Sequence, residues 1–353
     1  LMFNSALAGV PPALGLGVLA CAGATLIPYE AERSEVLAIA VTTALVSTIS
    51  PLQDHLRRIA YQADRPFAAT RISAVQCLWA VTALVALAVF GVPAAWIPFG
   101  ALLIANLASI TAGAIEFFRD ASRERVVPPS RRQTLDMGRW LIGASVVDRL
   151  GMVASLSLVA VLSGSAAVGE FEATRIVAQP VTVLAIGLGT AVRPKLMRAA
   201  RRGDQAGAQR HRRRIVLLVG AVFVAYGAVV LLPDPVNPMA RLFPLAFESN
   251  GLVELMLFGT FLMNVARLIG EQMTGANQVR ELTPIGIAAT ALSLAVVGGL
   301  APVSGAYAIP IGLAIRAVWS YALGVRVLER GIARRAASAD QPSDGPPSDD
   351  HGP

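Results

Sequence analysis

Ten stretches of this chain are long and apolar enough to cross a lipid bilayer as helices. They lie at about 5–28, 34–52, 73–91, 94–118, 138–163, 170–192, 215–232, 250–268, 283–301 and 304–326. A bilayer core takes roughly 20 predominantly apolar residues as a helix. In hydrocarbon every backbone donor and acceptor must be satisfied by the chain itself, so only helices and closed barrels span it. Barrel strands are short and alternating, whereas these runs are long and unbroken. The sequence therefore predicts an all-α, polytopic membrane protein of about ten transmembrane helices. Of 353 residues, 55% are hydrophobic and only 15% charged, against the quarter or so charged that a globular domain carries.

The charges that remain are placed by topology. The net charge is +7, but the cations are almost all arginine and fall in every second loop. They follow the second span (Arg57, Arg58, Arg65, Arg71), the fourth (Arg119, Arg123, Arg125, Arg131, Arg132), the sixth (Arg193 through Arg214) and the tenth (Arg330, Arg334, Arg335). Loops between these carry Glu30, Glu32, Glu35, Glu170, Glu172, Asp234 and Glu248. That alternation satisfies the positive-inside rule and puts both ends of the chain in the cytoplasm. In the weaker loop 269–282, Arg280 is expected to be offset by Glu271 and Glu281. The basic excess thus indicates membrane topology and not nucleic-acid binding.

An internal match at an offset of about 210 residues organises the spans. Arg57, Ile59 and Gln62 lie opposite Arg267, Ile269 and Gln272, and Pro28 lies opposite Pro238. The same shift lays the first four apolar stretches onto the last four. Two stretches, 138–163 and 170–192, have no partner. The expectation is two pseudo-symmetric lobes around a central cavity, with four helices in 1–118 and six in 138–326. A charged cytoplasmic linker joins them at 119–137, and a cytoplasmic tail, 327–353, is disordered toward its Ser-, Asp- and Pro-rich end. Two helices of the first lobe are expected upstream of Leu1. Repeated lobes around a cavity are a common transporter architecture. Segment 193–214 reads either as an amphipathic helix along the inner membrane face, its arginines toward anionic lipid headgroups, or as a solvated basic loop.

Enzyme chemistry is not indicated. There is no phosphate-cradling glycine loop. The three histidines, His55, His211 and His351, lie in basic loops and the tail, giving no metal or hydrolase site. No carboxylate pair has glycosidase spacing. Cys21 and Cys77 sit within spans as packing residues, and no cofactor is expected.

The informative residues are ionisable groups inside spans, which are functional-site hypotheses by default. Asp148 and Arg149 fall mid-way along the fifth span, Arg175 lies about two turns into the sixth, below Glu172, and Arg316 sits within the tenth. Asn106, Gln76 and Gln179 add polar groups at depth. One reading is structural: Asp148 neutralises Arg149 or Arg175 and pins the lobe together. The other is functional. Arg149, Arg175, Arg316, Gln179 and Asn106 line a wet cavity for an anionic headgroup, since guanidinium groups bind phosphate bidentately, and Asp148 is a protonatable coupling group. Pro180 would kink the sixth helix and free carbonyls toward the cavity.

Asp148, Leu162-Ser163-Gly164, Val168-Gly169-Glu170-Phe171, Ala173 and Pro180 together resemble the entry to the second lobe in the multidrug/oligosaccharidyl-lipid/polysaccharide (MOP) exporter superfamily. Phe171 stands where that family has Tyr. Arg193-Pro194, Leu196, Arg198-Ala199-Ala200 and Gly203-Asp204 look like an inner loop of its oligosaccharide-flippase branch, and the segment from Arg57 to Arg71 is similar to another. The resemblance covers nearly the whole chain. It implies alternating access and twelve or fourteen helices, and so a chain lacking the first two. The function it implies is a flippase that moves a lipid-linked oligosaccharide, or a related polyprenyl-pyrophosphate glycolipid, across the bacterial plasma membrane for surface polysaccharide synthesis. Its partners would be that lipid-linked glycan, anionic membrane lipids, and a polysaccharide polymerase or glycosyltransferases. The alternatives are a drug or organic-cation antiporter of the MATE type, and a non-transporting partner or remnant of a polysaccharide assembly system.

Overall fold

The structure, a computed structural model, describes Gly15, Val18, Ala22 and residues 33–62, 65–94, 96–120, 131–233, 236–248 and 251–339. The expected first span, 5–28, falls outside the described residues apart from those three. Every regular element among the described residues is helical. The chain divides into two compact units, Leu1–Pro129 and Ser130–Pro353.

The first unit holds α1 (Arg33–Gln62), α2 (Pro66–Val89) and α3 (Ile97–Asp120). Pro66 opens α2 at a position where its missing N–H costs nothing. Helix α2 is predominantly apolar and exposes large apolar side chains, as suits a helix immersed in lipid: Phe67 is 83% exposed and Val89 77%. Helix α3 packs against both α2 and α1.

The second unit holds α4 (Arg131–Ser163), α5 (Ser165–Arg201), α6 (Gln205–Val230), a short α7 (Pro238–Leu242), α8 (Leu252–Gly275), α9 (Leu282–Ser304) and α10 (Ala308–Ala339). Helix α4 packs on α9, α9 on α10, α10 on α8 and α8 on α5, while α6 lies against α5 and α8. Gly164, at φ +90°, breaks α4 from α5, a backbone shape that side chains other than glycine rarely adopt. The core runs from Phe171, Val177 and Val181 of α5 through Val219 of α6 and Leu252 and Met256 of α8 to Val297 and Ile309. Phe223 and Phe261 meet edge to face at 5.6 Å between centroids.

Seven stretches among the described residues qualify as spans, from Phe67–Val89 to Val279–Gly331; the last contains both α9 and α10. Large apolar side chains such as Val161 and Val303 point outward at 82% and 90% exposure, a surface tolerated in lipid and not in water. The protein is a multi-pass membrane protein. Helix α1 covers the expected span 34–52 but is not among the seven.

Several boundaries differ from the sequence expectation. Segment 193–214 is not a separate element. Helix α5 passes through Pro194 and runs on to Arg201, and after a turn at Gly203 (φ +75°) α6 begins at once. The Asp204 carboxylate caps α6 by accepting from the Gly207 N–H at 2.8 Å. The last helix continues to Ala339, past the 326 expected, and α4 begins at Arg131 within the expected linker. In both, the hydropathy signal stops at the membrane edge while the helix does not.

The two units share an internal plan. A shift of 210 residues carries 33–62 to 243–272, 66–89 to 276–299 and 97–120 to 307–330, over α8, α9 and α10 respectively. In each triplet the third helix packs on the other two. The shift also sets Asn106 opposite Arg316.

Close backbone approach inside the second unit gives a direct test. A Cβ on Gly275 would lie 2.7 Å from the Met197 carbonyl oxygen and 2.8 Å from its Cα, and backbone cannot rotate aside. Gly275→Ala is expected to cost about 1–3 kcal/mol. Gly298→Ala in α9, with no atom within 4 Å, should be neutral or gain about 0.5–1 kcal/mol. Thermal unfolding in detergent reads both; an unchanged midpoint in the Gly275 variant contradicts the contact.

Candidate functional site

Asp148 and Arg149 lie near the middle of the Gly138–Ser163 span of α4. A lone charge at such a depth costs about 2.5–3.5 kcal/mol on insertion scales. Asp148 resolves this with Arg316 of α10: Nη2 stands 2.6 Å from Oδ1. This corrects the expectation that Asp148 neutralises Arg149 or Arg175. The two partners are unequally buried, the Arg316 side chain being 10% exposed and the Asp148 side chain 52%.

Helix α9 packs on both helices that supply this pair, α4 and α10, and small residues let it come close. A Cβ on Gly151 would sit 2.5 Å from Thr290 Cγ2, and one on Gly143 would sit 3.2 Å from Thr283 Oγ1. The Thr283 hydroxyl donates to the Trp140 carbonyl at 2.9 Å. On the other side a Cβ on Gly312 would sit 3.0 Å from Ser293 Oγ. Thr290 is therefore about one turn from Asp148, and Ser293 is one turn from the level of Arg316. Thr290 is 7% exposed, and its hydroxyl has no hydrogen-bond partner among the described residues. A buried orphan hydroxyl is uncommon and costly.

Arg149 is exposed and has no ion-pair partner among the described residues. Arg175 is also exposed, but its Nη2 lies 2.6 Å from Glu172 on its own helix. Gln179 is exposed on α5. Beside it Pro180 removes one donor from the helix, and the neighbouring Val177 carbonyl accepts from the Tyr226 hydroxyl at 2.5 Å.

Asn106, expected to line a cavity, is 1% exposed and belongs to a chain of amides inside the first unit. Its amide donates to Ser50 Oγ at 2.7 Å and its carbonyl oxygen accepts from Gln76 at 2.8 Å. Gln53 donates to Gln76 Oε1 at 3.0 Å and to Ser109 Oγ at 3.1 Å. The Ser109 hydroxyl donates to the Ile72 carbonyl at 3.1 Å. All three helices are tied together, and Asn106 has no amide hydrogen-bonding atom left without a partner.

Two clasps close the basic ends of the helices in the second unit, neither of them found from the sequence. Arg193 of α5 meets Glu271 of α8 at 2.6 Å, with Arg267 at 3.7 Å from the same oxygen. Arg212 of α6 donates to Gln272 Oε1 at 3.2 Å. The second clasp joins Arg280 to Asp136 at 2.8 Å, with Arg139 at 2.5 Å. Arg280 thus pairs with Asp136, and Glu271 of the same loop serves Arg193. The hydrogen bond from Arg280, aided by the charges of Arg139 and Arg280, holds the Asp136 carboxyl below its ordinary range. The i,i+4 spacing of Arg267 and Glu271 was the available signal for the first clasp.

No protein-family model and no curated protein matches this sequence. Solved structures do. A MOP superfamily transporter from Pyrococcus furiosus, described as having a binding pocket of reversed polarity suggesting a different function, superposes with TM-score 0.77 at 14% identity. The alignment covers 94% of this chain and 78% of that one. An outward-facing multidrug resistance MATE family transporter of the same superfamily gives 0.75 at 14% identity, over 95% and 79%. A MATE transporter in complex with MaL6 gives 0.74 at 14% identity, over 94% and 78%. The chain shares the all-helical fold of these structures.

The amide chain predicts a specific loss. Asn106→Ala leaves Gln76 and Ser50 facing a buried gap, with an expected cost of about 1–3 kcal/mol. Thermal unfolding of the purified variant in detergent measures it, and equal stability would show that the chain contributes nothing.

Proposed function

We propose that this chain is a membrane transporter that moves a lipid-linked oligosaccharide, or a related polyprenyl-pyrophosphate glycolipid, across the bacterial plasma membrane by alternating access, with both ends in the cytoplasm. The fold supports the transporter part. The single observation that carries the choice of cargo is Arg149, an exposed guanidinium at mid-span without a carboxylate partner among the described residues. A phosphate is the anion a guanidinium fork fits best. Arg316 is the reserve cation, and Asp148 is assigned the coupling role because a proton or cation reaching its half-exposed carboxylate alters the balance at Arg316. Arg175, held by Glu172, is given a lesser part. No catalytic step is assigned.

A second reading, export of organic cations, draws support from the MATE neighbours and from the same half-exposed carboxylate. The two differ in the sign of charge they carry. Purified protein in liposomes should move a fluorescent polyprenyl diphosphate between leaflets, and Arg149→Gln should slow this about tenfold or more, the loss of one charge-assisted pair. Accumulation of ethidium without movement of the diphosphate lipid would select the antiporter instead.

A further inference from the structure

We propose that Arg316 is a diphosphate-binding residue kept closed by Asp148, whose carboxylate occupies the guanidinium until a phosphate displaces it. The inference rests on reading the chain as a carrier of a diphosphate lipid, and it names how that site opens.

Unequal burial decides which partner can leave. Arg316 is 10% exposed and Asp148 52%. Moving the carboxylate aside costs little hydration, because half of it is already open. Leaving the guanidinium alone in an apolar interior is costly. The arginine therefore stays and needs an anion, while the aspartate is replaceable.

Charge gives the incoming group its advantage. A carboxylate brings one negative charge and a diphosphate more than one. Arg149, adjacent in sequence to Asp148 and exposed, adds a second cation that Asp148 does not consume. Thr290, buried with an unpartnered hydroxyl one turn from Asp148, adds a neutral donor. Little else competes. Helix α9 contains no titratable side chain, and on α5 Glu172 and Arg175 pair with each other. The local charge set of the exchange is Asp148, Arg149 and Arg316. The step breaks one ion pair, forms another, and makes or cleaves no covalent bond.

Binding to the purified full chain in detergent tests this, with farnesyl diphosphate, inorganic pyrophosphate and farnesol as probes. Asp148→Asn removes the resident competitor, so it should bind farnesyl diphosphate about tenfold more tightly than the unaltered chain. Farnesol should bind both equally. A gain for inorganic pyrophosphate too assigns the site to diphosphates generally; a gain for farnesyl diphosphate alone assigns it to a lipid-borne one, and either supports the proposal. The paired variant Asp148→Asn with Arg316→Gln leaves no buried lone charge to disturb folding, and it should lose the gain. Unchanged affinity in the aspartate variant, or a gain that survives in the paired variant, overturns the proposal. Absence of lipid movement by the unaltered chain, with the gain intact, would count against the transport reading alone.

Discussion

A guanidinium in the apolar interior of a membrane protein sets the terms for the second unit. Arg316 has a side chain only 10% exposed, and an isolated cation there would cost several kcal/mol. Asp148 supplies the compensating charge from a different helix, so α4 and α10 must keep their register against α9, which packs on both. Small residues at Gly143, Gly151 and Gly312 let α9 lie close to its two neighbours. Packing and electrostatics are therefore one requirement. A helix that slid by a turn would leave the arginine without an anion.

The first unit buries its polar groups with different chemistry. At the register of Arg316 it has Asn106, and instead of one ion pair it uses a chain of amides and hydroxyls through Gln76, Gln53, Ser50 and Ser109. Neutral hydrogen bonds carry a smaller desolvation penalty than charges, and here they are formed among three consecutive helices. One half of the internal plan thus holds a saturated polar knot. The other holds a charged pair with one partner open to its surroundings, and only the latter has an anion that can be exchanged.

Much of the membrane architecture was legible because the signal is coarse and local. Eight of the expected spans have counterparts in the seven long apolar stretches among the described residues, the last of which holds two of them, and the depth of Asp148, Arg149 and Arg316 followed from counting along them. Partners were not legible. Asp148 was matched to its sequence neighbour Arg149 or to Arg175 on the next span, whereas helix packing order brings it to Arg316. Arg175 is satisfied by Glu172 three residues away, a short-range option that depth alone does not rank. Pro194 looked like the start of a separate segment, yet it is carried inside α5. Asn106 was recognised as a deep polar residue, but whether such a group faces a cavity or its own helices depends on contacts made by residues 30 and 56 positions away.

A double-mutant cycle on Asp148 and Arg316, read as equilibrium unfolding free energy in detergent, addresses the ion pair most directly. Removing either charge alone is predicted to cost about 3–5 kcal/mol, and removing both to cost far less than the sum, because no buried charge is then left without a counter-ion. Additive losses would show that the two residues do not compensate one another. The buried guanidinium would then have to be accounted for in some other way.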